Sequence, residues 1–183
     1  MIIWINGAFG AGKTTLMEEL KRRRDDAVVF DPEYVGYLLM RFVPVPTGDF
    51  QDLPSWRELV VETASALRRH HGSLLLVPMT LVHQEYFEQI VGGLRARGED
   101  VLHVFLNLDA DVLRQRLIDR VVVPDDPDQD QQAREFGLAA VDRCMAAAAQ
   151  QPADTLMLRS DQLTPAELAD AVLAQIPRVS SGQ

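Results

Sequence analysis

MIIWINGAFGAGKTTLMEEL, residues 1–20, sets a stiff apolar run directly against a loop that carries three glycines. The run 1–6 is short and isoleucine-rich, the pattern of a strand buried on both faces. Leu16, Met17 and Leu20 then recur at helical spacing, which predicts a helix over 13–24. Between them, Gly7-Ala8-Phe9-Gly10-Ala11-Gly12-Lys13-Thr14 fits G-x-x-x-x-G-K-[ST]. Strand before and helix after are the context in which that spacing has a mechanism.

The mechanism is phosphate binding. Glycines let the loop wrap so that several backbone N–H groups point into one hollow. The helix opening at Lys13 adds its unpaired N–H groups and the positive end of its dipole. Gly7 through Thr15 are therefore the candidate nucleotide-binding residues, with ATP as the expected ligand. Lys13 is expected to bridge the β- and γ-phosphates and to act in catalysis. The Thr14 hydroxyl is expected to hold Mg²⁺, a hard cation that takes oxygen ligands.

Outward from this junction, apolar runs and helical patterns alternate. Strands are expected at 27–31 (AVVFD), 73–79 (SLLLVPM), 101–108 (VLHVFLNL) and 154–160 (DTLMLRS). Helices are expected across the stripe Trp56, Leu59, Val60, Thr63, Ala64 and Leu67, over 83–97, and from Asp109 or Asp111 to about Arg120. The stretch VVVPDDPDQDQQ (121–132), with two prolines and four aspartates, reads as a solvated, mobile loop. One helix over 133–150 is expected after it, and a last helix with Thr164 as N-cap, Pro165 at N1 and Glu167 at N3. Such alternation means parallel strands joined by crossovers. The expected fold is α/β: a five-stranded, mostly parallel sheet flanked by helices in one domain, 1–183, with a lid at about 121–132 and a frayed tail at about 177–183.

Composition narrows the function classes. Eighteen basic against 27 acidic residues give a net charge of −9, which argues against a nucleic-acid binder. No apolar run reaches the roughly 20 residues of a membrane helix, and residues 1–6 lack the positive start of a signal peptide. The single cysteine, Cys144, cannot form an internal disulfide and reads as a small core residue. A cytoplasmic protein without stable membrane insertion is expected; the oligomeric state is open.

Open α/β sheets bind ligands at the carboxyl ends of their strands, so the rest of the site is expected at the other strand ends. Asp31 and Glu33 flank Pro32 after the second strand. Asp31 is a candidate to accept a substrate proton or to reach Mg²⁺; alternatively it caps the next helix. Glu33 and Tyr37 are candidates for substrate binding. Motor-type P-loop ATPases carry a metal-binding Asp after the third strand, whereas Pro78 stands here, and Thr80 is a substrate-binding candidate or a turn residue. Arg116 and Arg120, four apart on one helix face, either close on the nucleotide and neutralise transition-state charge or pair with Asp111 and Asp119 in solvent. Arg120 is also a catalytic candidate, and Arg143 a substrate-binding one. The four histidines show no metal-ligand spacing. The aromatic-rich stretch 34–56 fits core packing and an apolar substrate pocket about equally.

MIIWINGAFGAGKTT (1–15), VPMTLVHQEYF (77–87) and VDRC (141–144) closely resemble the ATP-binding tunicamycin-resistance proteins of bacteria, over nearly the whole chain to about Ile176. The layout is more distantly similar to gluconate, shikimate and chloramphenicol kinases. The resemblance implies a P-loop fold of the nucleoside- and shikimate-kinase type, ATP binding at residues 7–14, and action on a tunicamycin-like small-molecule antibiotic. It matches Asp31 to the acid after the second strand, and Arg116 and Arg120 to lid arginines. Family members carry a basic amphipathic C-terminal helix; IPRVSSGQ (176–183) has none of that character, so membrane attachment is not expected. The expected activity is phosphoryl transfer from ATP to a hydroxyl of the antibiotic. The alternatives are ATP-dependent sequestration without transfer, and a metabolite kinase.

Overall fold

β1 (Ile2–Gly7) is the middle strand of a five-stranded sheet, and its two neighbours come from distant parts of the chain. Ile2 is in register with Leu75 of β3 (Leu74–Pro78) on one side and with Val101 of β4 (Val101–Asn107) on the other. β2 (Ala27–Val29) extends the sheet beyond β3, and β5 (Leu156–Arg159) extends it beyond β4. The order is β2-β3-β1-β4-β5 and every pairing is parallel. The computed structural model describes residues 1–72 and 74–177; Ser73 and all of the expected tail except Pro177 lie outside them.

Alternation along β1 divides the core. Ile3 and Ile5 face one layer, packed with Leu16 and Leu20 of α1 (Lys13–Arg23). Ile2 and Trp4 face the other, with Trp56, Val60 and Ala64 of α3 (Pro54–His70). All four β1 side chains have no exposed area, and each is worth roughly 1.5–3 kcal/mol in burial. The second layer is completed by a helical run of α4 (Gln84–Phe87), a π-helical turn at Glu88–Gly92, and α5 (Gly93–Ala96). α6 (Ala110–Asp119), capped by the Asp109 side chain, adds Leu113 and Leu117 to the first layer. Its other members include Leu168, Ala169 and Val172 of α9 (Pro165–Leu173), whose Thr164–Glu167 capping box is formed as the sequence predicts.

Several expected boundaries are corrected. β2 ends at Val29, so Phe30 and Asp31 already belong to the turn leading into α2 (Glu33–Leu39). Leu59 is exposed, leaving Trp56, Val60 and Ala64 as the buried stripe of α3. The larger correction concerns 121–132. Only its first part is loop; α7 starts at Pro127 and runs to Ala139, and α8 follows at Val141–Ala148. Asp126 caps α7 by accepting from Gln129 N–H, Pro127 takes a first-turn position, and Asp128 and Asp130 sit where the helix dipole favours negative charge. Asp130 is buried, not solvated: Oδ1 accepts the N–H groups of Val122 and Val123, and Oδ2 pairs with Arg134 at 2.8 Å.

Candidate active site

The chain leaves β1 through Gly7, Gly10 and Gly12, all at positive φ. Gly12 (φ 98°) is the N-cap of α1 and offers no side-chain acceptor, so the first-turn N–H groups stay open to a ligand. At Gly7 a Cβ would meet the Leu106 carbonyl of β4 at 2.8 Å, so a side chain there would split the sheet beneath the loop. This open cradle of donors fits a polyphosphate.

Lys13 spends all three of its ammonium donors locally. Nζ donates to Gly7 O at 3.0 Å, Ala8 O at 2.8 Å and Thr80 Oγ1 at 2.7 Å. Burial, helped by the nearby Arg120 charge, lowers its pKa to about 8. Thr80 is buried and donates its hydroxyl proton to Gly7 O at 2.9 Å, which leaves a lone pair for the lysine.

The predicted residues converge. Lys13, Thr14, Thr15, Asp31, Glu33 and Thr80 line one cavity of about 550 Å³, together with Arg116 and Arg120. Asp31 is placed for either role the sequence left open. Its Oδ1 accepts Glu33 N–H at 2.9 Å at the start of α2, and the residue still lines the cavity. Burial pushes its carboxyl up, as does the neighbouring Glu33 charge. Thr14 is exposed in the same cavity. A hydroxyl and a carboxylate fit a hard cation that keeps water and phosphate as its other ligands. Among the described residues no group of three or more His, Cys, Asp or Glu could hold a metal by itself.

Arg116 donates to the Ser160 carbonyl at 2.9 Å, while Asp111 pairs with Arg114 and Asp119 accepts from Gln115. Neither Arg116 nor Arg120 is therefore tied up by the acids that share their helix. A smaller cavity of about 330 Å³ shares Arg116 and Thr15 with the Lys13 cavity and is lined also by Ser160, Leu163 and Pro165.

A further cavity, of about 370 Å³, shares Thr80 with the first. It takes in Glu33, Tyr37, Thr80 and Arg143, the four substrate-binding candidates, among aromatic walls from Phe9, Phe50, Tyr86 and Phe136. Tyr37 OH donates to Glu33 Oε2 at 2.9 Å; burial and that carboxylate raise the phenol to about 12. The stretch 34–56 thus divides: Trp56 is core, Phe50 and Tyr37 line the cavity, and Tyr34 and Phe42 are exposed. His83, read from sequence as no ligand, stacks on Tyr86 with ring centres 4.0 Å apart at the cavity's edge.

Three positioning groups escaped sequence reasoning. Asn6, buried at the end of β1, bonds Gly7 N–H and both backbone groups of Leu81. Trp56 Nε1 donates to Pro32 O at 3.0 Å and so anchors the Asp31 turn. Gln51 Nε2 donates to Thr80 O at 3.0 Å. A polar Asn inside an apolar strand was the one visible signal among them.

Five parallel strands, a phosphate-type loop after the central strand and two cavities that share Thr80, the partner of its lysine, define a P-loop kinase-like protein, a fold that implies nucleotide binding. The chain matches the family model described as an AAA domain over residues 2–147, and it belongs to that family. No curated protein sequence matches it. Among solved structures it is similar to the tunicamycin resistance protein of Deinococcus radiodurans, with 27% identity and a TM-score of 0.73 over 95% of this chain and 94% of that one. That likeness bears out the resemblance read from the sequence. A sugar kinase from Janibacter (16% identity, TM-score 0.60, 94% and 92% covered) and a gluconokinase from Sinorhizobium meliloti (15%, 0.60, 94% and 89%) share the fold. Among the described residues no helix is long and apolar enough to cross a membrane.

Proposed function

We propose that the protein is an ATP- and Mg²⁺-dependent phosphotransferase that moves the γ-phosphoryl group of ATP onto a hydroxyl of tunicamycin or a related small molecule. One observation carries this reading: the cavity holding Lys13 and Asp31 and the aromatic-walled cavity share Phe9, Glu33, Met79 and Thr80, so a donor in one meets an acceptor in the other. The Deinococcus likeness names the antibiotic to try first.

In this reading the loop from Gly7 to Thr15 holds the phosphates, and the base lies in the cavity beside Arg116 and Ser160. Lys13 and Arg120 stabilise charge that builds on the transferring group. Asp31 takes the acceptor hydroxyl's proton, a role its raised pKa suits. Glu33, Tyr37, Thr80 and Arg143 orient the acceptor. Thr14 and Asp31 would hold Mg²⁺, which supplies neutralisation of phosphate charge. Residues 121–126 with the start of α7 serve as a lid, the chain works as one domain, and the cytoplasm, where ATP is plentiful, is its place of work.

The test is mass spectrometry of tunicamycin after incubation with protein, ATP and Mg²⁺. The expected result is a product heavier by one phosphoryl group, with ADP in equal amount. Tunicamycin that is bound but unchanged in mass would overturn transfer and leave a sequestering protein.

A further inference from the structure

Thr80 lines both cavities and bonds to a residue of each with a different atom. Its hydroxyl accepts from Lys13 Nζ at 2.7 Å. Its carbonyl accepts from Gln51 Nε2 at 3.0 Å, and Gln51 lines the aromatic-walled cavity. Gln51 is in turn held at both of its backbone groups. Its N–H donates to Asp49 Oδ1 at 2.9 Å, and its carbonyl accepts from Arg57 Nη1.

Arg57 is a charge with an unusual setting. It is 8% exposed, and among the described residues it makes no ion pair with a carboxylate. Its guanidinium is satisfied by Gln51 O, by Gln89 Oε1 at 2.5 Å, and by the Tyr86 ring, 4.2 Å from its carbon to the ring centre. Gln89 comes from the π-helical turn at Glu88–Gly92, a feature often found beside functional sites. Its hydrogen-bond partners are neutral, the Asp52 carboxylate acts on it without direct contact, and what the buried guanidinium holds is the short 3-10 turn Phe50–Asp52 that carries Gln51.

We propose that Gln51, anchored by Arg57, is a positioning residue for Lys13 and acts on it through Thr80. The relay fixes the Thr80 peptide, whose hydroxyl then aims the third ammonium donor of Lys13 at the junction of the two cavities. A lysine aimed before phosphate arrives loses less rotamer freedom on binding it. Gln51 also forms part of the acceptor wall, so whatever fills that cavity presses on the group that aims the lysine. The inference rests on the phosphotransferase reading for its purpose, and on the hydrogen bonds alone for its existence.

A double-mutant cycle on Mg·ATP binding tests it, by calorimetry without any acceptor. Gln51→Met keeps the side chain's length and removes its donor; Thr80→Val keeps the shape and removes the hydroxyl. Each is expected to weaken Mg·ATP by about threefold or more, and the double variant to be no weaker than Thr80→Val alone. Thr80→Ser, which keeps the hydroxyl, is a control in which Gln51→Met should show its full effect, and Thr80→Ala, which also lacks the hydroxyl, provides the cycle if Thr80→Val does not fold. Losses that multiply in the double variant, or unchanged binding in Gln51→Met, would overturn the relay. A protein that binds Mg·ATP and transfers nothing to tunicamycin would sink the phosphotransferase reading while leaving this cycle readable.

Discussion

Asn6 grips Leu81 from both sides across 75 positions of sequence: its Nδ2 donates to the Leu81 carbonyl at 2.7 Å and its Oδ1 accepts the Leu81 N–H at 2.9 Å. The same Oδ1 accepts Gly7 N–H at 2.8 Å, so one amide ties the start of the phosphate loop to the segment behind Thr80. Asn6→Leu would leave several buried backbone groups unpaired. An expected loss of about 3–5 kcal/mol follows from the cost of such groups, measured by urea unfolding. A loss under about 1 kcal/mol would mean that the loop holds its shape without this clamp.

Nucleotide affinity should depend on pH through Lys13. Its pKa is about 8 in the free protein, and phosphate oxygens favour the charged form, so the bound lysine titrates higher. Between the two values binding takes up a proton, and affinity should fall by up to about tenfold per pH unit above pH 8. Calorimetry in buffers of different ionisation heat reads this uptake directly. Lys13→Met should bind weakly and without the slope; a wild-type affinity flat from about pH 7 to 9.5 would contradict the role.

Asp31→Asn preserves the acceptor that Glu33 N–H uses, so α2 should keep its start. An amide cannot take a proton. Turnover is expected to fall by roughly 10²–10⁴ while ATP affinity measured without Mg²⁺ stays within about twofold. Steady-state kinetics with tunicamycin decides; retained turnover removes Asp31 as the base.

Acid should unfold the protein partly through His103. This histidine lies in β4, 1% exposed, with Nδ1 2.9 Å from Thr155 Oγ1 and Nε2 3.3 Å from Asn6 Nδ2. Burial, with a contribution from Arg95 and against the pull of Asp154, lowers its pKa to about 4. The unfolded chain therefore binds this proton first, and stability drops as pH falls from about 6.5 to 4. The contribution approaches about 3 kcal/mol. Denaturant titrations across that range should show a shallower slope in His103→Gln; identical slopes would assign the acid sensitivity elsewhere.

Asp130→Ala removes the acceptor for Val122 and Val123 and the partner of Arg134. Exchange of those two amides should accelerate by about tenfold or more, the scale of one lost hydrogen bond. Mass-resolved hydrogen exchange can see it, and unchanged protection would show that α7 holds the segment by other means.

Legibility from sequence followed the range of the interactions. The loop after β1 was fully readable as a shape, because eight consecutive residues between a strand and a helix set it. The Thr164 capping box was readable for the same reason. The acidic stretch 121–132 misled because Asp and Pro mark helix starts as well as loops: Asp126 and Pro127 are a cap and a first-turn residue. Strand order was hidden, since periodicity says that strands are parallel without saying which are neighbours. Gln51, Arg57 and Asn6 were hidden too. Their partners stand 29, 32 and 75 residues away, and no local pattern encodes such pairs.

The central place of β1 has a consequence for how the chain is made. This strand is made long before its partners, Leu75–Pro78 and Val101–Leu106. At synthesis rates of about 5–20 residues per second, the hundred-residue interval keeps it waiting roughly 5–20 s. Until then Ile2, Ile3, Trp4 and Ile5 have no sheet to enter, and a naked apolar strand is a template for wrong pairing. A nascent-chain series stalled at successive lengths should therefore show Ile2–Ile5 guarded by chaperones until β4 has emerged, and released together with the appearance of a nucleotide-competent loop.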